Sequence, residues 1–120
     1  MLYYYDQPAD MILYKGLAHR KLSENREAHA CFNKLMDYGE RHIRDEVKND
    51  YFAVSLPDFL IFEDDMDKKN EAHCRYLMGL SALGLGEWDK AEKELNKAVG
   101  IDFNHQMSRI YLKHAEAKNL

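Results

Sequence analysis

Any chemistry in this chain must come from its six histidines, its two cysteines or its acidic runs. The histidines (His19, His29, His42, His73, His105 and His114) are scattered, and only His73 adjoins a second soft ligand, Cys74. Adjacent residues on a helix point about 100° apart, so that pair chelates poorly. The run "EDDMDKKNE" resembles a calcium loop only at first glance. Counted from Asp65, the sixth residue is Asn70 rather than glycine, and the twelfth is Tyr76 rather than glutamate. It reads as a solvated helix start, where negative charge is favourable. No nucleophile motif, glycine-rich phosphate loop or HExxH is present, and no paired carboxylates are set in an identifiable cleft. The expectation is a non-catalytic chain with no metal and no cofactor.

Composition points the same way. At 120 residues, with 46% apolar and 32% charged residues, the chain has the makeup of one globular domain. A net charge of −4 without a basic cluster argues against nucleic acid as a partner. No window approaches the roughly 20 apolar residues that span a bilayer, and "MLYYYDQPAD" has no signal-peptide pattern. Cys31 and Cys74, without CxxC spacing, read as free thiols in a reducing, cytoplasmic setting. The abrupt opening "LYYYDQ" suggests a cut from a longer protein, with Met1 added.

Two prolines and six glycines leave room for long helices. Two segments align without gaps at an offset of 63: "LYKGLAHRKLSENREAHACFNKLMD" from Leu13 and "YLMGLSALGLGEWDKAEKELNKAVG" from Tyr76. The offset superposes Gly16 on Gly79, Leu17 on Leu80, Ala28 on Ala91 and Phe32 on Leu95. Trp88, Ala91, Leu95 and Ala98 step by three, four and three, which is one apolar stripe on a helix. Asn25, Ala28, Phe32 and Leu35 keep the same steps. Gly86 supplies a left-handed stop in the second copy, and Ser23 with Asn25 forms the turn of the first. Small residues at 16, 28, 79 and 91 let paired helices approach closely.

These residues resemble the tetratricopeptide repeat, whose 34-residue unit is a helical hairpin. Gly79, Gly86, Ala91, Leu95 and Ala98 match its pattern of small and large residues, but Phe103 stands where the repeat carries proline. Gly16, Ala28 and Phe32 match in the first copy, with departures at Ser23 and Leu35. More loosely, "YYYDQPAD", "DYFAVSLPDFLIFEDD" and "LMGLSALGLGEWDKA" resemble the helical-repeat tail of large bacterial proteins of unknown function, where it follows a β-rich, sugar-enzyme-like region. The resemblance implies a single all-α, right-handed solenoid of about seven antiparallel helices. Its parts would be repeat one at 9–42, a short degenerate repeat at 43–71, repeat two at 72–105, and a closing helix at 106–120. In that helix, Met107, Ile110, Tyr111 and His114 are expected to face inward.

The apolar run from Tyr51 to Phe62 carries one charge, Asp58. It does not alternate as a strand would, so it is expected to form the middle hairpin, with a helix from Asp45 to about Val54 and a second starting near Ser55 and Pro57. Tyr51, Phe52, Phe59 and Phe62 are then core filler, or an apolar interface where the short repeat leaves its neighbours uncovered.

The resemblance also implies a peptide groove lined by the first helices of the hairpins. Leu13, Leu17, Arg20 and Lys21, with His73, Tyr76, Leu80 and Leu83, occupy the corresponding positions. The Lys and Asn of the chaperone-binding subclass are replaced by Leu13 and Leu17. The expected work is protein–protein interaction or domain docking, with a protein, a peptide or an upstream domain as partner. The alternative is a homodimerising or positioning tail of a carbohydrate-active bacterial protein. Neither membrane nor nucleic acid is expected to take part.

Overall fold

A computed structural model of the chain describes residues 9–45, 57–102 and 104–120, leaving the side chains of 57–65 outside the description. The described residues form five helices: α1 (Ala9–Lys21), α2 (Asn25–His42), α3 (Pro57–Leu85), α4 (Trp88–Ile101) and α5 (Gln106–Ala117). The fold is all-α. Each helix packs on the next, and α1 and α5 also touch α3. Three residues join α1 to α2 and two join α3 to α4, so both pairs are antiparallel by necessity.

The spacing of 63 recurs in the geometry of the turns. Ser23 and Gly86 both adopt left-handed backbone, with φ of 62° and 76°. Glu24 N–H donates to His19 O at 2.8 Å, and Glu87 N–H donates to Ala82 O at 2.9 Å. Ser23 N–H donates to Arg20 O and Gly86 N–H to Leu83 O, so each helix closes with the same pair of terminal hydrogen bonds. The next helix then starts at Glu24 or Glu87 with near-identical dihedrals and no side-chain cap. Glu24 is engaged instead with His19, at 2.7 Å.

Packing repeats as well. A methyl group on Gly16 would lie 2.5 Å from the Phe32 ring, and one on Gly79 would lie 2.6 Å from Leu95. In both hairpins a large side chain of the second helix therefore seats on bare backbone of the first. Gly84 presses on the same Phe32 ring from α3, so that ring is held between two glycines of different hairpins. Ala28, Phe32, Ala91, Leu95 and Ala98 are fully buried, and Leu35 is nearly so, as their stripes require.

Pro57 opens α3 as expected, since proline costs nothing in a first helical turn. The expected break between a middle hairpin and the helix containing Tyr76 does not occur, so the described residues form five helices rather than seven. Glu63, Asp64, Asp65 and Asp67 lie within α3 instead of at a helix start. The reason is local: no proline or glycine interrupts the chain from Asp58 to Met78, and propagation adds a hydrogen bond for each residue fixed. At 1.5 Å per residue, α3 is about 43 Å long, and the molecule measures 54 × 26 × 17 Å. The expected helix from Asp45 to Val54, and Tyr51 and Phe52 with it, lies outside the described residues. Phe59 and Phe62 lie on α3, with side chains outside the description.

α2 and α3 run antiparallel, with Phe32 against Gly84 and Gly39 against Leu77 and Met78. Asn70 extends the register by donating to His42 O at 2.8 Å. Residues 76–84 are all buried, two and a half turns of helix enclosed on every side. α3 is the central post of the stack.

Candidate functional site

α1, α3 and α5 end alike. Lys118 follows α5 in left-handed backbone at φ 53°, and its N–H donates to Ala115 O at 3.1 Å. Asn119 N–H donates to His114 O, the same closing pattern found after α1 and α3. The ends of α1 and α5 and the start of α4 border a groove of about 680 Å³. Tyr14, Leu17, Ala18, Arg20 and Lys21 form one wall, Trp88 the floor, and Lys118, Asn119 and Leu120 the other wall.

Arg20, Lys21 and Lys118 give this groove three cations, and no Asp or Glu side chain lines it among the described residues. Cations beside the last turns complement the helix dipoles. Arg20 is committed to the fold: its guanidinium donates to Gly84 O and lies 5.7 Å from the centre of the Phe32 ring. Among the described residues, neither Lys21 nor Lys118 has an acidic partner. Two other depressions mix signs. One, of about 380 Å³, sets Arg44, Lys68 and Arg75 against Asp45, Asp67 and Glu71. The other, of about 430 Å³, sets Lys90 and Lys118 against Glu87 and Asp89.

Beside the groove, the middle of the face shared by α1, α3 and α5 is closed. Tyr111 donates its hydroxyl to that of Tyr14 at 3.1 Å, linking α5 to α1 across α3. Beneath them Tyr76 is only 4% exposed, with its ring 6.2 Å from Tyr111 and 4.9 Å from His105. His73 stands 6.3 Å from His105, and His114 lies 5.8 Å from Tyr111. Burial drives the phenol pKa of Tyr76 far up, aided by the charge of Asp10. Burial also holds His73 down at about 4, with His105 adding to the effect. Tyr76 and His73 are therefore uncharged near pH 7. Burial raises Cys74 to about 11, which keeps it a protonated, inert thiol. Among the described residues, no three His, Cys, Asp or Glu side chains come together to hold a metal ion. No described helix is long and apolar enough to cross a membrane.

The eight residues expected to line a groove are thus divided. Leu13, Tyr76, Leu80 and Leu83 are core, exposed by 4% or less, and a ligand reaches none of them without unfolding. His73 belongs to the closed cluster. Leu17, Arg20 and Lys21 border the depression between the ends of α1 and α5. Sequence reasoning missed Tyr14, Trp88 and Lys118, and the legible signal was Lys118–Asn119 just beyond the last apolar residue of a helix.

α5 also differs from expectation. Its buried stripe is Ser108, Tyr111 and Ala115, while Met107 and Ile110 are 37% and 49% exposed. Tyr111 is held inward by Tyr14 and Tyr76, and small residues on either side let the helix approach its neighbours. The large residues one step away are thereby turned outward.

No protein-family model matches this chain, and no solved structure matches it.

Proposed function

We propose that this chain is a non-catalytic interaction scaffold of the tetratricopeptide kind. It docks an acidic segment carrying an apolar or aromatic side chain in the groove between the ends of α1 and α5 and the start of α4. The observation that carries this reading is the lining itself. Two lysines without acidic partners flank Tyr14, Leu17 and Trp88, in a protein whose net charge is −4. Cations at a groove rim steer acidic partners and reject basic ones, while the aromatic floor supplies the apolar area that gives affinity. The equal turns and the equal glycine seats 63 positions apart support the repeat assignment.

Trp88 is the only tryptophan, so its fluorescence reports on the groove without a label. An aspartate-rich peptide with a central phenylalanine is expected to give a saturable change. Lys21→Glu with Lys118→Glu should weaken binding at least about tenfold, as should raising the salt past the point where surface charges are screened. Equal binding of a lysine-rich peptide would defeat the reading.

A second reading, as a self-associating or positioning tail, draws on the exposed Met107 and Ile110 of α5. Sedimentation at rising concentration tests it. A strict monomer removes self-association through that face.

A further inference from the structure

We propose that protonation of His105 in mild acid releases α5 from α3 and takes away the wall that α5 gives the groove. Only the second half of that statement rests on the docking reading above. The first stands on the geometry of the α5 start.

His105 is the N-cap of α5. Its Nδ1 accepts the Ser108 N–H at 3.2 Å and lies 2.8 Å from the Ser108 hydroxyl. Ser108 is fully buried, so these groups have no water to turn to. An imidazolium carries hydrogen on both nitrogens and accepts nothing. Protonation therefore breaks the cap outright and sets a positive charge at the positive end of a helix dipole. A histidine N-cap, which loses its acceptor on protonation, differs in kind from Ser, Asp or Asn, whose capping oxygens go on accepting in mild acid.

The surroundings make that charge costly. From α3, the rings of Tyr76 and His73 face His105. Through Tyr76 the cluster reaches Tyr111 on α5, and Asp10 and Tyr14 on α1. Asp102, beyond α4, pulls the other way, but burial outweighs it and the His105 pKa is lowered. His73 is held at about 4 by burial, with its histidine neighbour adding to the effect. Both groups bind protons more weakly in the docked cluster than in a free chain, where histidine titrates near 6.5. Docking stability from this cluster is therefore complete above about pH 6.5. It is lost as pH falls below that, by up to about tenfold per pH unit for each group.

α5 is the element placed to respond. It is the last helix, packed on α4 and to a lesser degree on α3. Its departure breaks the Tyr111–Tyr14 bridge and withdraws Lys118 and Leu120 from the groove.

Amide exchange on the intact chain tests the release. Protection factors at Tyr111, Leu112 and Ala115, corrected for intrinsic rates, are expected to fall at least about tenfold between pH 7.5 and 5. Those at Phe32 and Leu95 should hold. His105→Asn keeps a capping oxygen but cannot titrate, so its α5 protection should fall less across the same range, with only the His73 contribution left. The His105 ring, followed by NMR, should titrate below the ordinary histidine midpoint and in step with those amides. Unchanged α5 protection at pH 5, the same loss in His105→Asn, or a ring titrating out of step would overturn the proposal. Binding of the aspartate-rich peptide, read at Trp88, separates the two ideas. Release of α5 with no binding at any pH defeats the docking reading alone, whereas binding without release defeats this one.

Discussion

The α1–α2 hairpin and the hairpin made by the second half of α3 with α4 share a skeleton but fill it differently. Their turns agree, with Ser23 and Gly86 in the same left-handed backbone. The contents diverge. Hairpin one seats Phe32 where hairpin two seats Leu95. It places Ile12 and Cys31, both part of the apolar core or packed on it, where hairpin two places Arg75 and Glu94, paired at 2.9 Å. Only one face of α1 is buried, whereas residues 76–84 of α3 are enclosed on all sides. Turn and glycine positions set the shape of each hairpin. Place in the stack decides which side chains that shape must accommodate.

Removing the large seated side chains strains this comparison most. Phe32→Ala is expected to cost about 4 kcal/mol and Leu95→Ala about 3, read from denaturant midpoints at constant slope. Phe32 should cost more because it fills space between two hairpins rather than within one. The reverse order would mean that Leu95 carries the junction.

The ion pair comes next. Arg75 and Glu94 have side chains 24% and 11% exposed, and Arg75 Nε has no hydrogen-bond partner among the described residues. Glu94→Ala alone should cost about 3 kcal/mol by leaving the guanidinium unpaired. Arg75→Ile with Glu94→Ala, which moves the site toward the apolar character of hairpin one, should return to within about 1 kcal/mol of the parent. A double variant as unstable as the single would show that the pair itself is required.

The glycine seats give a smaller, sharper test. Gly84→Ala drives a methyl into a ring that Gly16 already confines, for about 2 kcal/mol. Phe32→Leu in the same chain should recover at least about 1 kcal/mol of that in a double-mutant cycle. Additive effects would mean that the ring has room to move. Smallest is the pair of turns. Ser23→Gly should gain about 0.5–1 kcal/mol by relieving left-handed strain, and Gly86→Ser should lose about 1. Gly86 has open space around its Cβ position, so its effect is conformational alone. Thermal unfolding resolves shifts of this size.

Much of this was legible in the sequence because the relevant signals are local. A stripe of Ala28, Phe32 and Leu35 needs only helical periodicity, and Gly86 announces its own backbone. The unity of α3 was equally open to view, since no breaker interrupts 58–78. A repeat of fixed length imposed a boundary there that no residue requests. The inner face of α5 was hidden for a different reason. Met107, Ile110 and Tyr111 make a plausible apolar stripe, but the face is chosen by Ser108 and Ala115, whose small size matters only against a specific neighbour. The groove depends on three helix ends meeting in space, and no spacing along the chain encodes that.

The Phe32 ring between Gly16 and Gly84 also bears on how such a chain could grow. A further hairpin added beyond α5 would disturb no existing seat. One spliced between the first two would separate the glycines that flank the ring, and would have to bring a bare backbone position for each new junction. Lengthening by duplication is thus easy at the α5 end and obstructed at the first junction.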